Sequence, residues 1–539
     1  MIESSSSGEL EVVIVGAGFG GLCMGIRLLE AGIRNFAILE KGREIGGTWR
    51  DNTYPGAACD VQSHFYSYSF DGKPDWTHRY AGWEEIQRYI LDTTERHGMR
   101  RHIRFGEQVN SAHFDATSGR WRVGTKSGLE LSARHVVLAT GPLHVPQIPD
   151  IPGLESFAGK VFHSARWDHG YDLAGRRVAS IGTGGSAIQY CPEIAPKTGR
   201  LHVFQRSAAW VIPRDRRTYT EQQKRRFERF PVLRKLHRWR LYWQNESRLI
   251  GLLHPSLARL PEALSRRFIA QQVNDPAVAK ALTPGYTFGC KRVLISNDWF
   301  RMFNRPNVEL VTNRIREVRP DSIVTDDGVA RPVDCIILGT GFVVDPRDYM
   351  KDFAITGLPC HQLSDDWRDG AQAYFGVHVT GYPNLHQLVG PNTGLGHNSV
   401  VFMIEAQVHY VLESMRALRS RGAAYLSVNP QAQARFNERV QQALRGTVWS
   451  AGCTSWYQQA DGRNFSIWPW ATWRYWLLTR RIDPAAYDFV RPAATAAGPL
   501  PDQRAAQPKR TICAVPALLL EVVSRFSASS ALSSSRTRP

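Results

Sequence analysis

The chain has 539 residues, enough for two or three domains with cores of their own. A hydrophobic content of 43%, with 16 Trp and 23 Phe, excludes an intrinsically disordered protein. The net charge of +18 is compatible with a nucleic-acid partner, but no nucleic-acid motif occurs, so we assign the cations to phosphate binding and to the surface.

The cysteines predict reduced thiols. None forms a C-x-x-C pair or a zinc-ligand spacing with histidine, which argues against a metal site and against a flavin disulfide reductase. No basic leader is present, and no apolar run reaches the roughly 20 residues of a membrane span. We therefore expect a cytoplasmic protein. The eight cysteines are Cys23, Cys59, Cys191, Cys290, Cys335, Cys360, Cys453 and Cys513.

A strand, a glycine turn, a helix and a second strand open the chain. Gly16 and Gly18 let the backbone approach a pyrophosphate, and Gly21 lets the helix pack on the strand. Glu40 ends the second strand, where a carboxylate binds an adenosine ribose and repels a 2′-phosphate, so this site suits FAD. The segments are Glu11–Val15, Gly16-Ala-Gly18-Phe-Gly-Gly21, Leu22–Glu30 and Asn35–Glu40.

A second unit of the same kind follows. Its glycine turn is Gly182-Thr-Gly184-Gly-Ser-Ala187, and no acid follows its next strand. Arg206 and Ser207 stand there instead, and a guanidinium at a strand end is what a 2′-phosphate requires. The second cofactor is therefore predicted to be NADPH. Its strands are Val178–Gly182 and Leu201–Gln205, and two further apolar strands, His135–Thr140 and Cys335–Thr340, mark crossings between the units.

These patterns predict an α/β fold with two Rossmann-like dinucleotide-binding domains, each discontinuous in sequence. Residues 1–145 and 342–490 would bind FAD, and residues 146–213 and 281–341 would bind NADP. The composition of residues 491–539 predicts a disordered tail.

Residues 214–280 predict a helical insertion with 16 Lys and Arg against 6 Asp and Glu. A basic amphipathic helix can bind a membrane surface. We interpret the segment instead as a solvated helical hairpin packed over the cleft.

Two longer motifs narrow the chemistry. Gly46-Gly47-Thr48-Trp49 leads through Tyr54-Pro55-Gly56 to Asp60, and Phe157-Ala-Gly159 leads through His163 to Trp167-Asp168. Together they resemble the two signatures of type I Baeyer–Villiger monooxygenases, in order and with every fixed position matched. The resemblance covers about residues 10 to 490.

The resemblance implies a role for individual residues. Arg292, in the segment from Gly289 to Asp298, would be the catalytic arginine, oriented by Asp60. Lys291 would add a second cation at the 2′-phosphate. His163 would couple domain movement to cofactor binding, and Trp167 would anchor the linker. Residues implied to contact FAD or frame the site are Thr48, Trp49 and Tyr66.

Two late segments complete the expected site. Asn398 or Ser399 can cap a predicted helix, Val400–Leu412, whose start would face the flavin. Cys453-Thr454-Ser455-Trp456-Tyr457 resembles the family's D-S-W-Y loop, in which Trp456 would approach the nicotinamide ribose. Thr454 stands where the family has Asp, which leaves the hydrogen bonding of this loop open.

The implied reaction uses NADPH and O₂ to form a flavin C4a-peroxide, which inserts oxygen next to a ketone carbonyl and gives an ester or lactone. A flavin monooxygenase that oxidises amines or sulfides is the first alternative, although its related motif ends in Tyr or Phe where this chain has Trp167-Asp168. A non-catalytic flavin-binding or basic-surface interaction protein is the second.

Overall fold

The computed structural model describes residues 9–453, 455–459 and 461–491. The predicted tail, apart from Arg491, and Thr454 lie outside the described residues. Within them, no helix combines the length and the apolar character needed to cross a membrane.

The described strands run in chain order from the first apolar segment to the end of the described chain. They are β1 (Leu10–Val15), β2 (Phe36–Glu40), β3 (Ile103–Phe105), β4 (Val109–Asp115), β5 (Arg120–Thr125), β6 (Glu130–Leu138), β7 (Lys160–His163), β8 (Arg177–Ile181), β9 (Arg200–Phe204), β10 (Val211–Ile212), β11 (Leu294–Ile295), β12 (Val308–Val311), β13 (Ile315–Arg319), β14 (Ser322–Thr325), β15 (Ala330–Pro332), β16 (Cys335–Leu338), β17 (Ala354–Thr356), β18 (Leu385–Gln387), β19 (Tyr425–Val428) and β20 (Tyr487–Val490).

The described α-helices pack around these strands and fill most of the segment between β10 and β11. They are α1 (Phe19–Glu30), α2 (Thr48–Asp51), α3 (Trp83–Arg96), α4 (Ala187–Ile194), α5 (Glu221–Arg229), α6 (Pro231–Glu246), α7 (Leu249–Leu253), α8 (Arg259–Gln272), α9 (Pro276–Ala281), α10 (Pro346–Tyr349), α11 (Leu363–Asp366), α12 (Val400–Ser420), α13 (Pro430–Leu444) and α14 (Thr472–Leu478).

The larger sheet has the order β17-β4-β5-β6-β1-β2-β3, and β18 also pairs with β6. Its centre is parallel, with Val13 of β1 opposite Ala37 of β2 and Val136 of β6. The predicted strand His135–Thr140 starts earlier, at Glu130, because its first residues pair antiparallel with β5, as in Trp121 opposite Ala133.

The second sheet is parallel throughout, in the order β12-β9-β8-β16-β7. The late strand β16 lies between β7 and β8, which makes this sheet discontinuous in sequence. One sheet with a parallel centre and one fully parallel sheet, each packed with helices, confirm the expected α/β class with two Rossmann-like units.

The glycine turns of the two units are built alike. Gly16 has a φ of +103°, and a Cβ added there would lie 2.7 Å from the carbonyl oxygen of Ala139. Gly182 has a φ of +110°, and its added Cβ would collide with the carbonyl oxygen of Gly339. Only glycine fits either turn, because each passes directly beside the end of a crossing strand.

The helical insertion packs against the segment that follows Asp60. Asn245 of α6 exchanges two side-chain hydrogen bonds with Gln62, at 2.9 and 3.2 Å. Arg238 of α6 donates to the carbonyl oxygens of His64 and Ser67. The insertion therefore covers part of the unit built on the larger sheet, which we call the flavin-side unit because the sequence predicts FAD there.

A chain of buried rings lies behind the larger sheet. His135 is bonded to His386, which is bonded to His378 at 2.7 Å, and His378 is bonded to the Tyr487 hydroxyl. Tyr487 continues the chain to Tyr410 at 2.8 Å. Burial lowers the pKa of all three histidines, that of His386 to about 3.

This cluster predicts acid lability. A histidine whose pKa is lower in the folded than in the unfolded state contributes stability that is lost as the pH falls below about 6.5. Each such group costs up to about 1.4 kcal/mol per pH unit there. We expect the melting temperature to fall steeply from pH 7 to pH 5, and His386→Gln to be less stable at pH 7 but less pH-sensitive. Parallel pH profiles for both proteins would contradict this reading.

Candidate active site

The centre of the site is an ion pair between two distant segments. Arg292, just before β11, donates from Nε and Nη2 to Oδ2 of Asp60, at 2.9 and 2.5 Å. The side chains are 37% and 30% exposed, so the pair faces accessible space. The Asp60 carboxylate raises the pKa of Arg292, which fixes a permanent cation at this position.

Tyr457, from a third segment of the chain, lies near the Arg292–Asp60 ion pair. Its ring is buried, and burial raises the pKa of Tyr457 to about 12, although the nearby Arg292 acts to lower it. Arg292 lies within reach of the Tyr457 hydroxyl, but that hydroxyl forms no hydrogen bond of good geometry within the described part of the chain. A buried hydroxyl with spare hydrogen-bonding capacity beside a fixed cation fits a site that a polar ligand completes.

Trp49 and Tyr66 form an aromatic wall on the flavin side. The indole N–H of Trp49 donates to the Tyr66 hydroxyl at 3.2 Å, and the rings meet edge to face. Burial raises the pKa of Tyr66 well above its usual range, so its hydroxyl stays neutral. Thr48 and Trp49 are the first residues of α2.

The first nucleotide loop is held by Glu40. This buried carboxylate accepts from the backbone N–H groups of Ala17 (2.9 Å) and Gly42 (2.7 Å) and from Arg50 (2.8 Å). Three bonds fix its orientation and leave acceptor capacity free. Gly18 lies against Gly47, and a Cβ on Gly18 would come no closer than 3.8 Å to other atoms, so the loop surface is open to a pyrophosphate.

The second nucleotide loop ends beside two neighbouring cations, Arg206 and Lys291. Lys291 donates to the Ser207 hydroxyl at 3.3 Å, and burial followed by the charge of Arg206 lowers the pKa of Lys291. An anion bound between Arg206 and Lys291 would relieve their mutual repulsion. A Cβ on Gly184 would meet nothing within 4 Å, so this loop is also open. The structure thus brings Arg206, Ser207 and Lys291 together, as the sequence predicts.

The linker motif joins the two units. His163 bonds through Nε2 to the carbonyl oxygen of Gly341 at 3.0 Å, and its Nδ1 accepts from the N–H of Ala165. Burial lowers the pKa of His163 to about 4, so the ring is neutral at physiological pH. Trp167 packs on Tyr54 and Tyr190. A coupling role for His163 stays a prediction.

The first signature also bridges the units. The hydroxyl of Tyr54 donates to Gln189 of α4 at 2.9 Å, and Gln189 donates back to the carbonyl oxygen of Ala58 at 3.0 Å. A Cβ on Gly56 would lie 2.9 Å from the carbonyl oxygen of Gln189. The Tyr-Pro-Gly sequence therefore permits a close approach of the flavin-side loop to the second unit.

The start of α12 is anchored by the insertion. Ser399 caps the helix by accepting from the N–H of Val401 at 3.3 Å, while Asn398 donates to the buried carboxylate of Glu246. Glu246 also accepts from the Thr472 hydroxyl at 2.7 Å. The helix continues to Ser420, eight residues beyond the predicted end, because its core face remains apolar.

Comparison with known proteins decides the family. Residues 13–229 match the family model described as pyridine nucleotide-disulphide oxidoreductase. A Baeyer–Villiger monooxygenase of Streptomyces coelicolor is 42% identical over 493 residues, covering 91% of this chain and 94% of the relative. A Baeyer–Villiger monooxygenase of Pseudomonas aeruginosa is 43% identical over 483 residues, covering 89% of this chain and 91% of the relative. The chain belongs to the Baeyer–Villiger monooxygenase family.

Solved structures agree with this assignment. An oxidised steroid monooxygenase bound to NADP has a TM-score of 0.81 at 31% identity, covering 90% of this chain and 100% of that one. A closed cyclohexanone monooxygenase has the same TM-score at 28% identity and the same coverage. The expected family, fold class and flavoprotein monooxygenase activity are confirmed.

One expectation about this Baeyer–Villiger monooxygenase is wrong. The cysteines are not all single, because Cys290 and Cys453 form a disulfide with a Cα–Cα distance of 6.3 Å. The two residues are 163 positions apart, and no spacing rule indicated that the fold brings them together. The bond ties the segment that carries Lys291 and Arg292 to the loop that carries Trp456.

Sequence reasoning also gave no role to Tyr457, Arg50 or Gln189. Tyr457 directly follows Trp456 in the resembling loop, so that loop was the available signal. Trp456 itself is 45% exposed and lies against Tyr457, with ring centroids 4.3 Å apart. It is therefore not a core side chain and is free to contact a ligand.

The disulfide predicts an effect on NADPH binding. Cys453→Ser frees the Trp456 loop from the Arg292 segment. Because NADPH binding must then order this loop, the KM for NADPH should rise about threefold to tenfold, with flavin content unchanged. Cys360→Ser, at an exposed free thiol, is the matched control. Non-reducing peptide mapping checks the bond directly; an unlinked Cys290 peptide with an unchanged KM would refute the tether.

Proposed function

We propose that this enzyme uses NADPH, O₂ and FAD to insert one oxygen atom next to a ketone carbonyl, giving an ester or lactone. The observation that carries the proposal is the Arg292–Asp60 ion pair, which joins the flavin-side loop to the segment beside the NADP cations. When bound, FAD supplies the redox and oxygen-activating chemistry.

The protein's own residues supply binding and charge. Arg292 presents a permanent guanidinium that stabilises negative charge on the oxygen donor and on the adduct formed at the carbonyl carbon. Asp60 orients that guanidinium through two hydrogen bonds to one carboxylate oxygen. Because Asp60 also offsets the charge of Arg292, the site would tolerate a cationic nicotinamide ring nearby.

The cofactor assignments follow from the two loops. We assign FAD to the loop of Gly16, Gly18 and Gly21, where Glu40 disfavours a 2′-phosphate. NADPH is assigned to the loop of Gly182 and Gly184. The solved relative named OTEMO, with a TM-score of 0.81 and 26% identity, is in complex with FAD and NADP.

The division of the chain follows the two sheets. We propose that 1–145 and 342–490 form the FAD domain and that 146–213 and 281–341 form the NADP domain, with 214–280 inserted. The larger sheet takes strands between 10 and 138 and between 354 and 387, and the second takes strands between 160 and 338.

The partners are a small-molecule ketone and O₂, and we place the enzyme in the cytoplasm, where NADPH is regenerated. Disulfides are rare in that compartment, so the Cys290–Cys453 bond would there be exposed to thiol reductants.

A parallel assay of two substrate panels tests the function. One panel contains linear, cyclic, aromatic and steroid ketones, and the other contains amines and sulfides. We expect ester or lactone products from at least one ketone, with NADPH consumed in equal amount. Amine oxidation without an ester from any ketone would overturn the proposal.

A further inference from the structure

Exposed apolar side chains are concentrated in the helical insertion. Among the described residues, eight of the fifteen large apolar side chains that are exposed lie between positions 230 and 264. Single exposed apolar residues are ordinary, but a concentration of this kind marks an interaction surface. The eight are Phe230, Val232, Leu236, Trp239, Ile250, Leu257, Leu260 and Leu264.

Helix α6 has two apolar sides, of which one is packed and the other is exposed. Its inner side buries Leu241, Tyr242 and Asn245 against the flavin-side unit. Its outer side presents Val232, Leu236 and Trp239, which are 67%, 56% and 49% exposed. The spacing of four and three residues puts these side chains in one stripe along the helix. The outer stripe is therefore accessible to a partner.

A second stripe follows on α8 and the turn before it. Leu257, Leu260 and Leu264 are spaced by three and four residues and are 50% to 69% exposed. On the inner side of α8, Ser265 and Ile269 are buried. The insertion therefore repeats the same arrangement, with a packed inner face and an apolar outer stripe.

Cations surround both stripes. Lys235 and Arg240 are exposed next to the α6 stripe, and Arg259 and Arg267 are exposed next to the α8 stripe. Between 221 and 272 the chain has 12 Lys and Arg against 4 Asp and Glu, a net charge of +8. Two copies of such a surface repel each other, whereas an anionic surface is attracted to it.

We propose that the outer stripe of α6, with the cations beside it, binds the surface of an anionic phospholipid bilayer. Apolar side chains with an indole at the boundary and Lys or Arg at the flanks are the composition of helices that lie in the headgroup region. The proposal differs from our sequence-based interpretation of the insertion as a solvated hairpin. The proposal does not depend on the assigned reaction.

Vesicle co-sedimentation of the full-length holoenzyme tests it. We expect at least tenfold more binding to vesicles of phosphatidylcholine mixed with phosphatidylglycerol than to pure phosphatidylcholine, and a loss of that binding at high salt. Equal, weak binding to both kinds of vesicle would overturn the proposal.

Matched variants separate the two contributions. Leu236→Gln with Trp239→Gln should lower binding to the anionic vesicles about tenfold, and Lys235→Glu with Arg240→Glu should remove the preference for them. Flavin content and NADPH oxidation should stay normal, which checks folding. Val329→Gln with Leu477→Gln, at exposed apolar positions outside the insertion, should bind like the wild type.

Sedimentation velocity tests whether this surface binds a second copy of the chain instead of a bilayer. A concentration-dependent dimer that the Leu236→Gln/Trp239→Gln variant abolishes, together with no vesicle binding by the wild type, would refute the bilayer proposal. A protein of constant mass that binds anionic vesicles would support it.

Discussion

Arg292→Ala should oxidise NADPH but form no ester. The NADP cations and the flavin-side loop are untouched, so the flavin is still reduced. The oxygen donor then lacks the cation that stabilises its negative charge, and the loss of one such group costs about 10²–10³ in turnover. We expect hydrogen peroxide to appear in place of the ester, measured by coupled peroxide detection and product mass spectrometry.

Two variants serve as controls for this result. Arg292→Lys keeps the charge but loses the paired contact with Asp60, so it should recover only part of the product yield. Arg216→Ala removes an exposed ion pair with Asp298 and should leave the yield unchanged. Normal ester formation by Arg292→Ala would remove the assigned role.

Arg206→Ala should lower kcat/KM for NADPH far more than kcat/KM for NADH. A charge-assisted hydrogen bond to a phosphate contributes about 1.5–3 kcal/mol, so kcat/KM for NADPH should fall about tenfold to 150-fold. The value for NADH, which has no 2′-phosphate, should change less than about threefold. Steady-state kinetics with both cofactors measures the difference.

The matched control for Arg206 is Arg305→Ala, at an exposed arginine of the same unit, which should leave both values unchanged. Ser207→Asp should act in the same direction as Arg206→Ala, because a carboxylate beside Lys291 repels the phosphate. An equal loss for NADPH and NADH would show that the 2′-phosphate binds elsewhere.

Local patterns predicted the parts of the fold that depend on local chemistry. Gly16 and Gly182 each need a positive φ beside a crossing strand, and that demand is visible in sequence as a glycine after an apolar run. The Arg206–Ser207 pair was visible for the same reason, since the end of a parallel strand fixes where its side chains point.

Contacts between distant segments were not visible without the fold. The Cys290–Cys453 bond joins residues whose neighbours carry no cysteine motif. The link between Tyr54 and Gln189 pairs two residue types that are common on any surface. The exposed outer stripes of the insertion could not be located from the sequence, because periodicity shows that a helix is amphipathic but does not show which side is packed.

A crystal structure of the holoenzyme with FAD and NADP bound tests the central claim most directly. We expect the Arg292 guanidinium beside the C4a edge of the flavin ring, with Asp60 behind it and the 2′-phosphate between Arg206 and Lys291. An Arg292 side chain that points away from the flavin, with no route to C4a in any bound state, would contradict it.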